Sequence, residues 1–546
     1  MIKRFLNSQA KTITFAAVLL SVSGLVSRFL GLIRDRLLAG EFGAGETLDV
    51  YFAAFRIPDF VYGILILGGI VAAFLPVFSE YFQKDKEKAF ELTNNVLNCF
   101  LVLLVFLCGI LVIFAPLVLK FVAPGFSPES KALAVALTRI MFLSPIFFGL
   151  SAIFSGVLHY FNRFLIYSLA PILYNLGIIF GILFLVPIFG IYGLAYGVVL
   201  GAIFHWLIQV PSVLDTGFRY RPHFNFRYPG LQKIFNLMIP RTIGQFSYHL
   251  NLIVITALAS TLAAGSITIF NFSNNIHHVP VGLIGIPFAL ASFPVLSRAW
   301  ASGRKKEFME NFSLTFCQIL FLIIPISILM FLLRTQIVGI VLGTGQFDWQ
   351  ATKLTSACLG LFCLGIFAFS FIHFLSRTFF SLHDTKTPVK ISIASIALNI
   401  VLCFFFLFLL RFENSFQYFV RNVFGLQGIE GIEIVGLPLA LSIAGVFQFF
   451  LLLVFLERKI GSLFLKKIWP SFKKIFLATF LMGFFVYFVI GFSTSLFDLQ
   501  TFWGMFFQTA LAGILGLFVY LLLAFLLKSP EIGIIKSSIL KQFSPD

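Results

Sequence analysis

Apolar residues fill this chain in runs of about twenty, with polar residues gathered between the runs rather than alternating within them. A run of that length crosses the hydrocarbon of a bilayer as a single helix, whereas period-two alternation would argue for strands. The pattern predicts an all-α polytopic membrane protein with about fourteen transmembrane helices, near 13–34, 51–81, 92–118, 132–157, 165–187, 191–213, 233–262, 268–299, 310–332, 353–380, 387–411, 434–457, 473–493 and 503–527. One stretch breaks the pattern. Between Ser27 and Tyr81, apolar helical sequence carries Arg28, Arg34, Asp35, Asp49, Arg56 and Asp59.

An ionisable side chain at membrane depth costs roughly 2.5–3.5 kcal/mol on insertion scales, so such groups face a bundle interior or a wet cavity. The three arginines therefore point to a cationic cavity for an anionic substrate. Arg28, Gly31 and Asp35 share one helical stripe, while Arg34 lies about 120° away, so a bend near Gly31 or an exit at Asp35 is needed to bring it to the same side. A plain helix end at the headgroups is the competing reading. In the second helix Asp49, Ala53 and Arg56 form a stripe, Pro58 interrupts the ladder, and Gly63, Gly68 and Gly69 follow. A broken, charged helix is a pointer to a transport site; a kinked packing helix is the alternative.

Composition narrows the class. The chain is 59% hydrophobic and only 11% charged, against about 25% charged in soluble domains, which excludes a soluble enzyme. The net charge of +17 is not a nucleic-acid footprint, because it follows topology. Lys84/Lys86/Lys88, Arg304/Lys305/Lys306 and Lys466/Lys467/Lys473/Lys474 lie in loops on the side of the N-terminus, and the opposite loops are poor in Lys and Arg. The positive-inside rule puts both termini of this multi-pass membrane protein in the cytoplasm. The first apolar run has no small-residue cleavage site and reads as a retained helix. All six cysteines sit in expected spans without disulfide or metal-ligand spacing, and no cofactor or metal is expected.

An internal repeat organises the rest. AAFLPVFSEY around Pro76 matches ASFPVLSRAW around Pro294, LAPILYNLGIIF around Asn175 resembles ISIASIALNIVL around Asn399, and IYGLAYGVVLGAIF resembles IVGLPLALSIAGVF. The expected domains are an N-terminal six-helix lobe (1–215), a cytoplasmic linker (216–232), a C-terminal six-helix lobe (233–460), and two further helices with a tail (461–546). The second repeat has no arginine in its counterpart of the charged helix. It offers Asn271, Ser273, Asn274, Asn275, His277 and His278, read as cavity lining, and Arg241 in LMIPRTIGQ is its main cationic candidate.

SRFLGLIRD, FGAGETLDVYFAAFRIPD, FLPVFSEY, FVAPGF, NRF…APILYN, PRTIG and SRTFFSLHDTKTPVKISI together resemble the signatures of the MurJ/MviN family, lipid II flippases of the MOP exporter superfamily. The resemblance covers nearly the whole chain in order. It implies two lobes around a central cavity, alternating access, and an apolar groove beside the last two helices for a polyprenyl tail. It implies lipid II as partner, a monomer within membrane lipids, and no nucleic acid. It also places Arg28, Arg34, Asp35, Asp49 and Arg56 at charged cavity positions. Three family positions depart: an arginine is Tyr62 here, an acidic residue is Leu67, and an eighth-helix arginine is Asn275. No carboxylate occurs in QFSYHLNLIVITALAS or VKISIASIALNIVL to support a sodium site.

Two rivals stay in view. One is a flippase of the same superfamily for another polyprenyl-linked glycan, or a drug exporter. The other is a membrane glycosyltransferase, whose chemistry wants paired carboxylates in a large outer loop. The longest such loop has only scattered Glu413, Glu430 and Glu433.

Overall fold

The structure, a computed structural model, describes residues 13–461, 463–498 and 501–533. The basic opening segment, MIKRFLNSQAK, lies outside them. Most of the described residues are helical, and none of them lies in a strand. Ten helices are long and apolar enough to span a bilayer, or eleven when Trp349–Cys363 and Ile366–Ser381, bent by 45°, count as one. The expected spans 13–34, 51–81 and 233–262 are helical too, but each carries arginine, and the second also changes helix type midway.

The chain divides into two compact units, 1–268 and 269–546. The first contains α1 (Ile13–Phe42), α2 (Glu46–Val61), a π-helical segment (Tyr62–Ile70), α3 (Val71–Lys84), α4 (Lys86–Val122), α5 (Pro128–Met141), α6 (Leu143–Tyr160), α7 (Phe164–Phe180), a π turn (Gly181–Leu185), α8 (Val186–Phe189), α9 (Tyr192–Leu207), α10 (Val210–Leu214) and α11 (Pro229–Ala259). Helix α11, which the repeat groups with the second half, packs here against the π segment, α3 and α4. The unit boundary falls just inside α12 (Ser266–Pro280).

Close packing in the first unit uses small residues, because lipid supplies no hydrophobic drive between helices. A Cβ on Gly177 would stand 2.3 Å from the Gly201 Cα, and one on Gly181 would stand 2.6 Å from the Gly197 Cα, so α7 and α9 touch backbone to backbone. An aromatic cluster closes another end. Phe78 lies 5.4 Å from Phe74 and 5.2 Å from Tyr160, and Phe82 lies 4.8 Å from Tyr160.

The second unit continues α12 through a π turn (Val281–Gly285) into α13 (Ile286–Ala301). There follow α14 (Lys305–Leu332), α15 (Arg334–Leu342), α16 (Trp349–Cys363), α17 (Ile366–Ser381), α18 (Lys386–Arg411), α19 (Ser415–Phe424), α20 (Gly436–Ile460), α21 (Leu463–Ser493) and α22 (Phe502–Leu526). The repeat is visible in the backbone. Pro58 and Pro280 each precede a π-helical stretch, and these stretches correspond at the offset that aligns Pro76 with Pro294. A proline withholds one ladder N–H, and a widened turn is one way to absorb the loss. Helices α18 and α20 pair as α7 and α9 do, with the Ser395 hydroxyl donating to the Ala444 carbonyl at 2.7 Å.

Candidate functional site

Helix α1 is helical without interruption from Ile13 to Phe42, through Gly31 and Asp35. Arg34 uses the length of its side chain. Its Nη2 donates to Asp35 Oδ1 at 2.7 Å, its Nε to the same oxygen at 3.0 Å, and its Nη1 to Asn175 Oδ1 on α7 at 3.3 Å. The Asn175 amide in turn donates to the Ser27 hydroxyl at 3.2 Å and to the Ser27 carbonyl at 3.3 Å. Asn175 is thus the interhelical hydrogen bonder that an asparagine in an apolar helix suggests. Asp35 is buried and Arg34 only partly so, which leaves the guanidinium's outer face accessible. Arg28, two turns earlier, is half-buried on the same helix.

Asp49 and Arg56 share the predicted stripe but serve different ends. Asp49 is 3% exposed. Its oxygens accept from the Gly265 N–H at 2.8 Å, the Thr268 N–H at 2.8 Å and the Thr268 hydroxyl at 2.7 Å. It caps the N-terminus of α12 from another helix, satisfying the donors that every helix start leaves open. Its charge also suits the positive end of the helix dipole. Arg56 is half-buried, and its Nε donates to Thr256 Oγ1 on α11 at 2.7 Å.

One turn beyond Arg56, Asp59 lies 3.7 Å from Nδ1 of His249 on α11. The imidazole fills a space open only because residue 63 is glycine. A Cβ there would come within 1.8 Å of His249 Nε2. Tyr62, at a position where the family resemblance expects arginine, packs on Phe148 at 4.7 Å, and Phe148 packs on Tyr174 at 5.1 Å. The Arg34–Asp35–Asn175 cluster and the Arg56–Asp59–His249 cluster both lie within the first unit.

In the second unit the predicted polar lining is partly turned to packing. The Ser273 hydroxyl donates to carbonyls of its own helix at 2.8 and 3.0 Å. His277 is buried and stacks on Phe362 at 4.3 Å with ring planes 4° apart. The rings of His277 and His278 lie 4.2 Å apart although their helical positions diverge. Asn275 is half-buried on α12. The side chains of Arg241 and Leu67 lie outside the described residues. Among the described residues no cluster of three or more His, Cys, Asp or Glu could hold a metal ion.

One feature escaped sequence reasoning. On α4, Asn94, Asn95 and Asn98 clamp the extended linker by its backbone. Asn94 donates to the Arg219 carbonyl and accepts from the Arg221 N–H, both at 3.0 Å, while Asn95 and Asn98 donate to the Asn225 and His223 carbonyls at 2.9 Å. The N-N-x-x-N spacing on one face of a helix is the signal that could have found it. The second unit also holds an apolar groove of about 1000 Å³, lined by Phe316, Leu320, Phe367, Phe449, Trp469 and Phe476. It runs beside α21, where the family resemblance expects a groove for a polyprenyl tail.

Comparison with known proteins places this arrangement. The profile of a family described as lipid II flippase MurJ matches residues 38–507. A probable lipid II flippase MurJ of Buchnera aphidicola subsp. Schizaphis graminum is 30% identical over 478 residues, covering 86% of this chain and 88% of that one. The lipid II flippase MurJ of Burkholderia cenocepacia is 28% identical over 389 residues, 69% of this chain and 75% of that one. Among solved structures, a lipid II flippase MurJ in an inward closed conformation matches with a TM-score of 0.74 at 26% identity, over 93% of this chain and 98% of that one. An inward-facing MATE multidrug transporter of the MOP superfamily matches with a TM-score of 0.64 at 16% identity, over 82% of this chain and 98% of that one, a likeness of fold alone.

Proposed function

We propose, from the premise that this chain belongs to the lipid II flippase MurJ family, that it moves lipid II from the inner to the outer leaflet of a bacterial cytoplasmic membrane by alternating access. It is a transporter and not an enzyme. The observation that carries the reading is the trio of half-buried guanidinium groups on α1 and α2, Arg28, Arg34 and Arg56, in a protein whose apolar helices leave few other charges at that depth. Guanidinium pairs with phosphate oxygens in a planar fork and is weakly hydrated, so it suits a pyrophosphate that has to leave water.

In this reading Arg28, Arg34 and Arg56 receive the pyrophosphate. Asp35 offsets the charge of Arg34 in the empty site and yields it when the anion arrives. Asp49 contributes by holding the start of α12 in place. Arg241 and Asn275 are the candidates from the second repeat. The groove beside α21 supports a path for the polyprenyl chain, since its lining is almost wholly aromatic and aliphatic. Both termini lie in the cytoplasm on the positive-inside argument, and the chain acts as a monomer.

The test is complementation. In cells depleted of their own flippase, the wild-type chain restores lipid II translocation, while Arg28→Ala and Arg56→Ala, present in the membrane at equal amounts, do not. Full rescue by both variants would defeat the site assignment. Binding of a different polyprenyl-linked glycan in preference to lipid II would favour the related-substrate alternative.

A further inference from the structure

We propose that Asp59 and His249 form a proton-binding pair whose occupancy rises as the anionic headgroup binds, so that this transporter takes up one proton with its substrate. The inference rests on the flippase reading for the identity of the anion. It rests on the geometry of the first unit for the site.

Four observations converge there. A histidine on α11 lies 8% exposed among helices, beside a carboxylate on α2 whose side chain is 31% exposed. The site is built for the ring, because Gly63 removes the side-chain atom that would occupy its place. Gly63 stands in a nine-residue π-helical segment, a distortion often found at functional sites. Arg56, a proposed phosphate ligand, sits one turn from Asp59 on the same face of α2.

Charge counting then sets the behaviour. With a neutral imidazole, Arg56, Asp59 and His249 sum to zero; with a protonated one they sum to plus one. An anion arriving at Arg56 favours the charged state of a nearby titratable group, as any opposite charge does. His249 is suited to this because its ordinary pKa lies near neutrality. Linkage makes the effect reciprocal: a proton on His249 strengthens anion binding by the same factor.

The surrounding titratable groups do not substitute for it. Tyr62 of the π segment, Tyr167 and Tyr174 of α7 and Tyr248 of α11 are phenols, neutral across the physiological range. On α3, Glu80 pairs with Lys233, about 24 Å down α11 from His249 at 1.5 Å per residue. Of the charged residues of α4, Lys86, Glu87, Lys88 and Glu91 lie at that same end, where Glu91 meets His223, and Lys120 is exposed in the last turn at the other. On α6, His159 packs against Tyr167 at 4.3 Å. On α9, His205 bonds Ser151 at 2.7 Å. Arg241, two turns earlier on α11, has its side chain outside the described residues.

Anion binding favours the imidazolium, so affinity is highest and flat at acid pH, falls by up to tenfold per pH unit as the imidazole loses its proton, and is flat and weaker beyond. The substituted pyrophosphate of lipid II does not titrate near neutrality, so the slope belongs to the protein.

The experiment measures the dissociation constant of lipid II for the purified full chain in nanodiscs between pH 5.5 and 8.5. The wild type is expected to weaken three- to tenfold across that range, and His249→Gln to show no slope. Asp59→Asn, which removes the carboxylate that favours the imidazolium, should move the slope to more acid pH. Gly63→Ala keeps every titrating group but displaces the ring, and should flatten the slope as His249→Gln does. The two latter variants decide the matter if His249→Gln does not fold. A flat wild-type profile, or an undiminished slope in His249→Gln or Gly63→Ala, overturns the proposal while the binding itself upholds the flippase reading. Failure of the wild type to bind lipid II at any pH overturns that reading and this proposal with it.

Discussion

Replacing Asp49 with alanine separates two roles that the sequence leaves entangled. As a cavity charge, Asp49 would matter to transport and little to folding. As a cap held by three hydrogen bonds at 2.7–2.8 Å, it matters to folding first. Alanine strands two amide donors and a hydroxyl in a site that is 3% exposed. Loss of an N-cap costs about 0.5–2 kcal/mol, and a buried donor left unpaired costs about 1–3 kcal/mol. Because the donors share one helix start and partly relax together, the sum is about 3 kcal/mol rather than the full total. The amide introduced by Asp49→Asn retains one acceptor but turns an NH₂ toward an N–H, so that change is expected to cost about half as much. The six cysteines are all buried, which makes a thiol-reactive fluorophore a direct reporter of unfolding in detergent. At roughly 2 °C per kcal/mol for a unit of this size, Asp49→Ala should melt about 6 °C below wild type and Asp49→Asn about 3 °C. An unchanged melting temperature combined with lost translocation would refute the capping argument and return Asp49 to the substrate.

The same assay checks other contacts. Arg34→Ala leaves the buried Asp35 without its guanidinium and should cost about 3 kcal/mol, whereas Arg34→Ala/Asp35→Ala should cost less than the single change; a double variant worse than the single would show that the pair is not the reason. Gly177→Val drives a side chain into the Gly201 backbone, at 2.3 Å from the first added atom, and should destabilise by about 1–3 kcal/mol. Gly24→Ala, with nothing within 4 Å, should be neutral in comparison. In the loop between α17 and α18, burial pushes the Asp384 carboxyl up, but the Lys459 ammonium at 2.6 Å and the Thr387 amide and hydroxyl outweigh it and hold its pKa at about 2. A depressed carboxylate adds stability above its unfolded value near 4 that is lost as pH falls toward 2. The wild type should therefore lose melting temperature between pH 4 and 2 more steeply than Asp384→Asn, and parallel curves would remove Asp384 from the account.

Much of the candidate site was legible because membrane burial makes charge conspicuous. Arg28, Arg34 and Arg56 stand out in apolar helices, and the structure keeps them on α1 and α2 at partial exposure. What pattern-reading could not supply was each charge's partner. Arg34 and Asp35 occupy different stripes of one continuous helix yet bond each other, because a guanidinium reaches several ångströms around the backbone. Asp49 reads as a cavity residue by stripe and is a cap by contact, since its partners lie more than two hundred residues along the chain. His249 sits in an unremarkable apolar run. Its importance depends on a glycine and an aspartate of another part of the chain.

The amino-acid order alone determined that this is a helical membrane protein built from a repeat, with a few arginines inside otherwise apolar helical sequence. Those properties follow from local hydrophobicity and spacing, which each segment expresses by itself. Tertiary structure alone decided which charges are neutralised, which helix ends are capped by distant side chains, and that α11 packs with the first unit. A buried ion is stabilised by whatever donors the fold brings within about 3 Å, and sequence separation carries no information about that distance.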